Sequence, residues 1–316
     1  MNQEIVPGSQ NKISVFKALK EIPEELLWKA NFNSDNSILT YDKAIHLFLS
    51  FIGISSPEEL REINHGHVIA FKKFLQDQGH SPRTINNRLS AISSLFNHLI
   101  DKQVVKINVA QGVRRMRVNS DRVEAKVLTP EEVRKMLDAP DPFKLQGMRD
   151  KAILSTMFFT GCRVSEVTKL KVKDFYQEQG FYVLDFWVKG GKRNRLAIQQ
   201  ELQIALREYL RMAGHEADKE SFLFLPVKHA PGKSDKARKM SRKTVDHLFQ
   251  KYARLAVLNG VTPHSARATF ITQALENNCP IEAVQKTVGH SQIKTTQMYD
   301  KRVAKYRESA SFAVRY

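Results

Sequence analysis

The sequence predicts a mainly helical protein with a small antiparallel β-sheet, divided into two domains. Three observations carry this. Apolar residues recur at helical spacing from Asn36 to about Lys106. A polar, basic stretch without apolar periodicity, Arg114 to Lys126, separates that region from a mixed one. In the mixed region two short runs of β-type residues, Phe181 to Lys189 and Arg193 to Ile198, flank a Gly190-Gly191 turn. A chain of 316 residues, 42% hydrophobic and 26% charged, has the length for two ordinary domains and the apolar content for two cores.

In the first region Tyr41, Ile45, Phe48 and Ile52 mark a helix, with Gly53 as its stop. A second helix is expected from Asn64 to Gln78, closed by Gly79. A third begins after Ser81-Pro82, with the apolar stripe Ile85, Leu89, Ile92, Phe96 and Leu99. Its other face carries Arg83, Asn86, Asn87, Ser90 and Ser94, which serves equally as a solvated surface or as a reader of base edges and phosphates. After the basic stretch, Thr129-Pro130-Glu131-Glu132 opens a helix with an N-cap threonine, a proline at the first position and a glutamate at the third. Further helices are expected at 130–138, 146–160, 164–170, 199–212, 241–258, 264–277, 281–288 and 291–299. Asp174 to Glu178 is a candidate third strand, and basic Lys228 to Lys239, with its Gly and Pro, a mobile loop. The divisions are an N-terminal extension over 1–35, a helical domain over 36–114, a linker over 115–126, a mixed domain over 127–300 and a tail over 301–316.

The formal net charge is +17, from 50 Lys and Arg against 33 Asp and Glu. Residues 1–118 hold 15 basic and 11 acidic side chains, net +4, so 119–316 carry the remaining +13. A folded surface this basic attracts polyanions, nucleic acid first among them, although a membrane surface would attract it too. Met1 to Lys12 lacks the apolar core of a signal peptide. The longest apolar runs, such as Ala152 to Phe159, are too short to span a bilayer. Cys162 and Cys279 stand far apart, in no pattern for a disulfide framework or a zinc site. Together these favour a soluble protein in a reducing cytoplasm.

Four blocks carry chemistry. In Thr160-Gly161-Cys162-Arg163-Val164-Ser165-Glu166, Gly161 ends one helix, Arg163 falls in the first turn of the next, and Glu166 is near enough to hold the guanidinium. By itself this reads as a surface ion pair. Val188-Lys189-Gly190-Gly191-Lys192-Arg193 puts lysines at a tight turn, where they could swing over a phosphate or simply form a basic hairpin tip; it is not a Walker A loop. Pro263-His264-Ser265-Ala266-Arg267 sets a histidine and an arginine on one face at a helix N-terminus, which favours an anion. In Gly289-His290-Ser291-Gln292-Ile293-Lys294-Thr295-Thr296-Gln297-Met298-Tyr299, the glycine breaks a helix before His290, and Tyr299 taken alone reads as a buried structural tyrosine.

In order, Arg…Lys…His-x-x-Arg…His…Tyr resembles the tyrosine recombinase, or phage integrase, family, over about Asn36 to Tyr299. The closest flavour is Xer-like or a mobile-element integrase. Ala266 and Ala268 stand where the family often has Leu and His, and Cys162 replaces a usual aliphatic residue. The resemblance implies a two-domain DNA clamp: a helical, SAM-like core-binding domain and a mixed α/β catalytic domain. It implies a site-specific recombinase that cuts and rejoins DNA through a 3′-phosphotyrosyl intermediate and a Holliday junction, without metal or ATP. Arg163 and Arg267 would clamp the scissile phosphate. Tyr299 would be the nucleophile and His264 its general base. Lys189 would be the general acid, with Lys192 as fallback; His290 would hydrogen-bond the phosphate, and Glu166 would orient Arg163 or His264. The implied partners are paired double-stranded DNA sites, bound by a homotetramer or by a heterotetramer with a related recombinase, at the bacterial nucleoid. Arg83, Asn87, Arg242 and Lys243, at helix starts, are the candidate DNA contacts. The tail Arg302 to Tyr316 would pack on a neighbouring protomer. Rival readings are a type IB topoisomerase with the same chemistry, a non-catalytic DNA-binding regulator on the same scaffold, and a metal-dependent transposase.

Overall fold

The computed structural model describes residues 28–29, 32, 35–54, 58–118, 125–188, 191–227 and 239–299. The N-terminal extension up to residue 27, residues 119–124 of the linker, Lys189, the basic loop 228–238 and the tail 301–316 lie outside the described residues. The chain divides into two compact units, Met1–Asn119 and Ser120–Tyr316.

The first unit is built on three long helices: α1 (Asp35–Ile52), α2 (His65–Asp77) and α3 (Pro82–Asp101). Their starts follow from local chemistry. The Asn64 side chain accepts from the backbone of Gly66 and His67 at the head of α2, and Ser81 Oγ accepts from Thr84 N at the head of α3, where Pro82 gives up no needed N–H. The stripe Ile85, Leu89, Ile92, Phe96 and Leu99 is buried against Phe48, Phe71 and Leu75. Two residues of the opposite face are spent internally. Asn86 exchanges both amide bonds with the backbone of Met116, and Ser94 Oγ accepts from Trp28 Nε1. Arg83 and Asn87 remain exposed.

The second unit surrounds α5 (Leu145–Thr160), whose residues 152–158 are all buried. A helix buried on every side belongs at the centre of a domain. Around it stand α4 (Pro130–Asp138), α7 (Gln200–Ala213), α8 (Arg242–Leu255) and α9 (Pro263–Glu276). The expected capping box forms at Thr129 and Glu132. An antiparallel sheet in the order β1 (Phe175–Glu178), β2 (Phe181–Trp187), β3 (Arg193–Ala197) buries Val183, Leu184 and Phe186. Leu184 faces Phe175 on one side and Leu196 on the other. The short helices α6 (Val164–Val167), α10 (Ile281–Val288) and α11 (Ile293–Gln297) complete the unit. Among the described residues no helix is long and apolar enough to cross a membrane.

Three local expectations are corrected. The helix expected at 164–170 stops at Val167, because the chain must extend at Lys171 to bridge Phe222, with Leu223 N bonding Leu170 O at 2.8 Å. The helix expected at 291–299 is confined to α11, so Tyr299 lies just beyond it. Asp174 is not in the strand; its carboxylate turns back to accept from Lys171 N at 2.9 Å.

Candidate active site

The site is assembled from helix ends. Gly161 closes α5 in the left-handed conformation, φ +63°, and a Cβ at that position would lie 2.6 Å from Phe270 Cδ1. Only glycine fits both demands. The chain then leaves in an extended conformation through Arg163, which is the N-cap of α6 (φ −80°, ψ 152°) and not, as the sequence predicts, a residue of its first turn. Glu166 grips Arg163 twice. Its Oε2 accepts from Arg163 N at 2.7 Å and its Oε1 from Nη1 at 2.8 Å. A buried carboxylate thus fixes both the backbone and the guanidinium. The neighbouring Cys162 thiol is buried and pushed up to about 12, which leaves it unreactive.

Arg267 is 1% exposed, the largest fully buried side chain of the described residues. Its Nη1 donates to Gly161 O and its Nη2 to Val288 O, each at 2.7 Å. These carbonyls belong to the C-terminal ends of α5 and α10, where the helix dipole favours a cation. Nε is buried without a partner, and burial, then the charge of Arg163, lowers the pKa of the group. An arginine nonetheless keeps its charge at neutral pH. The protein thus maintains a concentrated positive field here.

His264 and Tyr299 meet in this field. The Tyr299 hydroxyl is 2.6 Å from His264 Nε2. Burial first, then Arg267 and Arg163, push the His264 pKa down, so the imidazole is neutral and Nε2 can accept the phenolic proton. The Tyr299 side chain is 4% exposed, packed with Ala268, Ile271, Leu275, Val284 and Val288. Its backbone is tied down at both groups: N donates to Thr296 O, and its carbonyl accepts from Thr272 Oγ1, each at 3.0 Å. His290 stacks on the Tyr299 ring at 5.5 Å between centroids, with Nδ1 2.9 Å from Thr296 Oγ1. Burial, Arg267, Arg163 and His264 together drive its pKa down to about 3.

Of the sequence-predicted set, Arg163, Glu166, His264, Arg267, His290 and Tyr299 converge; Lys189 lies outside the described residues, and Lys192 is exposed beyond the end of β2. Glu166 serves Arg163, not His264. Arg242 and Lys243 are exposed in the first turn of α8, on a segment remote in sequence from α3, which bears Arg83 and Asn87. The sequence does not point to Thr272 or Thr296 as site residues. Thr296 stands inside the Thr-Thr-x-x-Tyr block, but nothing in the sequence says which ring it will meet. Among the described residues no group of three or more His, Cys, Asp or Glu side chains could hold a metal ion. Two guanidiniums, a neutral imidazole and a phenol poised on it can bind a phosphodiester and remove the phenolic proton.

Both regions of the chain are similar to known proteins. Residues 126–305 match the Phage integrase family, and residues 24–103 match the Phage integrase, N-terminal SAM-like domain. The tyrosine recombinase XerA of Pyrococcus furiosus is 31% identical over 77% of this chain and 78% of its own length. The tyrosine recombinase XerD of Listeria innocua is 27% identical over 84% of this chain and 88% of its own. The crystal structure of a lambda integrase tetramer bound to a Holliday junction shares the fold, with a TM-score of 0.68 at 17% identity, covering 94% of this chain and 81% of that one.

Proposed function

The chain belongs to the phage integrase family of tyrosine recombinases, and on that premise we propose that it is a site-specific DNA recombinase working through a 3′-phosphotyrosyl intermediate. The observation that carries this reading is the 2.6 Å contact between the Tyr299 hydroxyl and His264 Nε2, set beside two arginines. A phenol has a reference pKa of about 10 and needs a base to become a nucleophile at neutral pH.

In the proposed reaction Arg163 and Arg267 bind the non-bridging oxygens of the scissile phosphate. Tyr299 Oη attacks phosphorus as its proton passes to His264 Nε2. The P–O5′ bond breaks, and Lys189, or Lys192 in its place, protonates the leaving 5′ oxygen. The guanidiniums meet the charge that grows on the non-bridging oxygens, which is work that metal ions do in other phosphoryl-transfer sites. His290 hydrogen-bonds the same oxygens; burial is the first cause of its depressed pKa, and the phosphate charge offsets only the share that comes from the arginines. The covalent link conserves the phosphodiester bond energy. A 5′-hydroxyl from another strand therefore religates without ATP, with release of Tyr299.

Double-stranded DNA is the partner, and the net charge of +17 supports salt-dependent binding to it. Because strand exchange needs paired sites, the active assembly is a tetramer, of one recombinase or of two related ones, in keeping with the lambda integrase tetramer on a Holliday junction. A plasmid carrying two copies of the target site tests the reading. The wild-type protein should recombine them in the presence of EDTA, and Tyr299→Phe should not. Relaxation of a single-site plasmid with no recombination would point to a topoisomerase instead.

A further inference from the structure

The C-terminus of α10 is a joint. The last four carbonyls of a helix have no partner within it. In α10 those of Gln285 and Lys286 are met by the chain that follows, from His290 N at 3.1 Å and Gly289 N at 3.2 Å. The last two are met from elsewhere. Val288 O accepts from Arg267 Nη2 at 2.7 Å, and Thr287 O accepts from Asn194 Nδ2 at 2.6 Å. Because a carbonyl only accepts, the Asn194 atom facing it is the amide nitrogen.

Asn194 belongs to β3, opposite Phe186 of β2 and two residues after Lys192. A second contact joins the same two places from the other side of the turn. Val188 packs against Gly289 so closely that a Cβ on the glycine would sit 3.3 Å from Val188 Cγ1. The turn is closed by Val188 N bonding Lys192 O at 2.9 Å. Both flanks of the lysine-bearing turn are therefore fixed to the corner that holds Arg267 and precedes His290.

We propose that Asn194 is a positioning residue, whose amide docks the β2–β3 turn on the end of α10 and so brings the turn's proton donor to the phosphate held by Arg267. This rests on the reading of Lys189, or Lys192, as the group that protonates the 5′ oxygen when the P–O5′ bond breaks. Asparagine suits the task because it donates while neutral. An aspartate in its place is acceptor-only at neutral pH and would face the Thr287 carbonyl with like polarity.

The test separates proton donation from every other step. In a 5′-bridging phosphorothioate duplex the leaving atom is sulfur, and a thiol, with a reference pKa of about 8.5, leaves as thiolate without a proton. Asn194→Ala, and Asn194→Asp, which keeps the shape and loses the donor, should cleave an all-oxygen suicide duplex roughly 10- to 100-fold slower, as expected for a displaced catalytic group. Both should cleave the sulfur duplex at the wild-type rate. Equal slowing on both duplexes, or no slowing on either, overturns the proposal. Lys189→Ala and Lys192→Ala run beside them. If neither shows selective rescue by sulfur, the proton-donor reading itself fails and the inference falls with it. If one is rescued and the Asn194 variants are not, only the role of Asn194 is lost.

Discussion

Acid should weaken the second unit through His290, by an amount that follows from the site. In the folded protein its imidazole is buried, stacked on Tyr299 and close to Arg163 and Arg267, with a pKa of about 3. In the unfolded chain it returns to about 6.5. Below pH 6.5 the unfolded chain therefore binds a proton that the folded protein refuses, and stability falls as pH drops until about pH 3. Between pH 7 and pH 5 this one group costs about 2 kcal/mol, nearly independent of where below pH ~4 the folded value lies. The two tryptophans are Trp28 and Trp187, one in each unit, so a Trp28→Phe background lets Trp187 fluorescence report urea unfolding of the second unit alone. His290→Asn keeps a polar partner near Thr296 and removes the titration. Whatever the substitution costs at pH 7 cancels in the comparison. The parent should lose about 2 kcal/mol more than the variant on going from pH 7 to pH 5. Equal losses would refute the idea that the arginine field and burial keep His290 neutral.

Other consequences of the structure are independent of this one. Gly161→Ala must adopt φ near +63° with its Cβ 2.6 Å from Phe270 Cδ1; left-handed strain and overpacking together should cost about 2–4 kcal/mol in the same unfolding assay. Val257 is a β-branched residue at φ +58°, 83% exposed, in the position after α8 where glycine usually sits; Val257 N bonds Arg254 O at 3.0 Å and Leu258 N bonds Ala253 O at 2.9 Å. Val257→Gly should therefore stabilise the protein by about 1 kcal/mol, a rise in Tm that calorimetry would detect, and a lower Tm would contradict it. Arg83→Ala and Lys243→Ala should each lower the slope of log affinity for DNA against log salt by about 1, with similar loss on all sequences, if each side chain meets a phosphate.

Much of this architecture is legible in the sequence, because local chemistry and tertiary packing agree. Thr129, Ser81 and Asn64 cap the helices they precede, and the Ile85 to Leu99 stripe is the buried face of α3. Legibility fails where long-range contacts override local preference. The residues after Val167 look helical, yet the chain turns and extends at Lys171, because Phe222 offers it a bridge partner and Ser221 and Leu223 bond the backbone on either side. Arg163 looks like a first-turn residue, yet it caps, because Glu166 holds its backbone N–H. The catalytic candidates are readable as a pattern, but their supports are not. That Thr272 would hold the Tyr299 carbonyl and Asn194 the Thr287 carbonyl depends on pairings 27 and 93 residues apart. Asn86 and Ser94 show the converse: polar residues on a helix face that look available to a ligand are used within the unit.

The most direct measurement is the identity of the covalent bond. The protein, incubated with a nicked suicide duplex carrying its site, would be digested with trypsin and nuclease, and the peptide that retains a nucleotide sequenced by mass spectrometry. A single modified peptide is expected, residues 295–301 with a 3′-phosphonucleotide on Tyr299, and no adduct from Tyr299→Phe. A nucleotide on any other residue, or an adduct that survives Tyr299→Phe, would contradict this expectation.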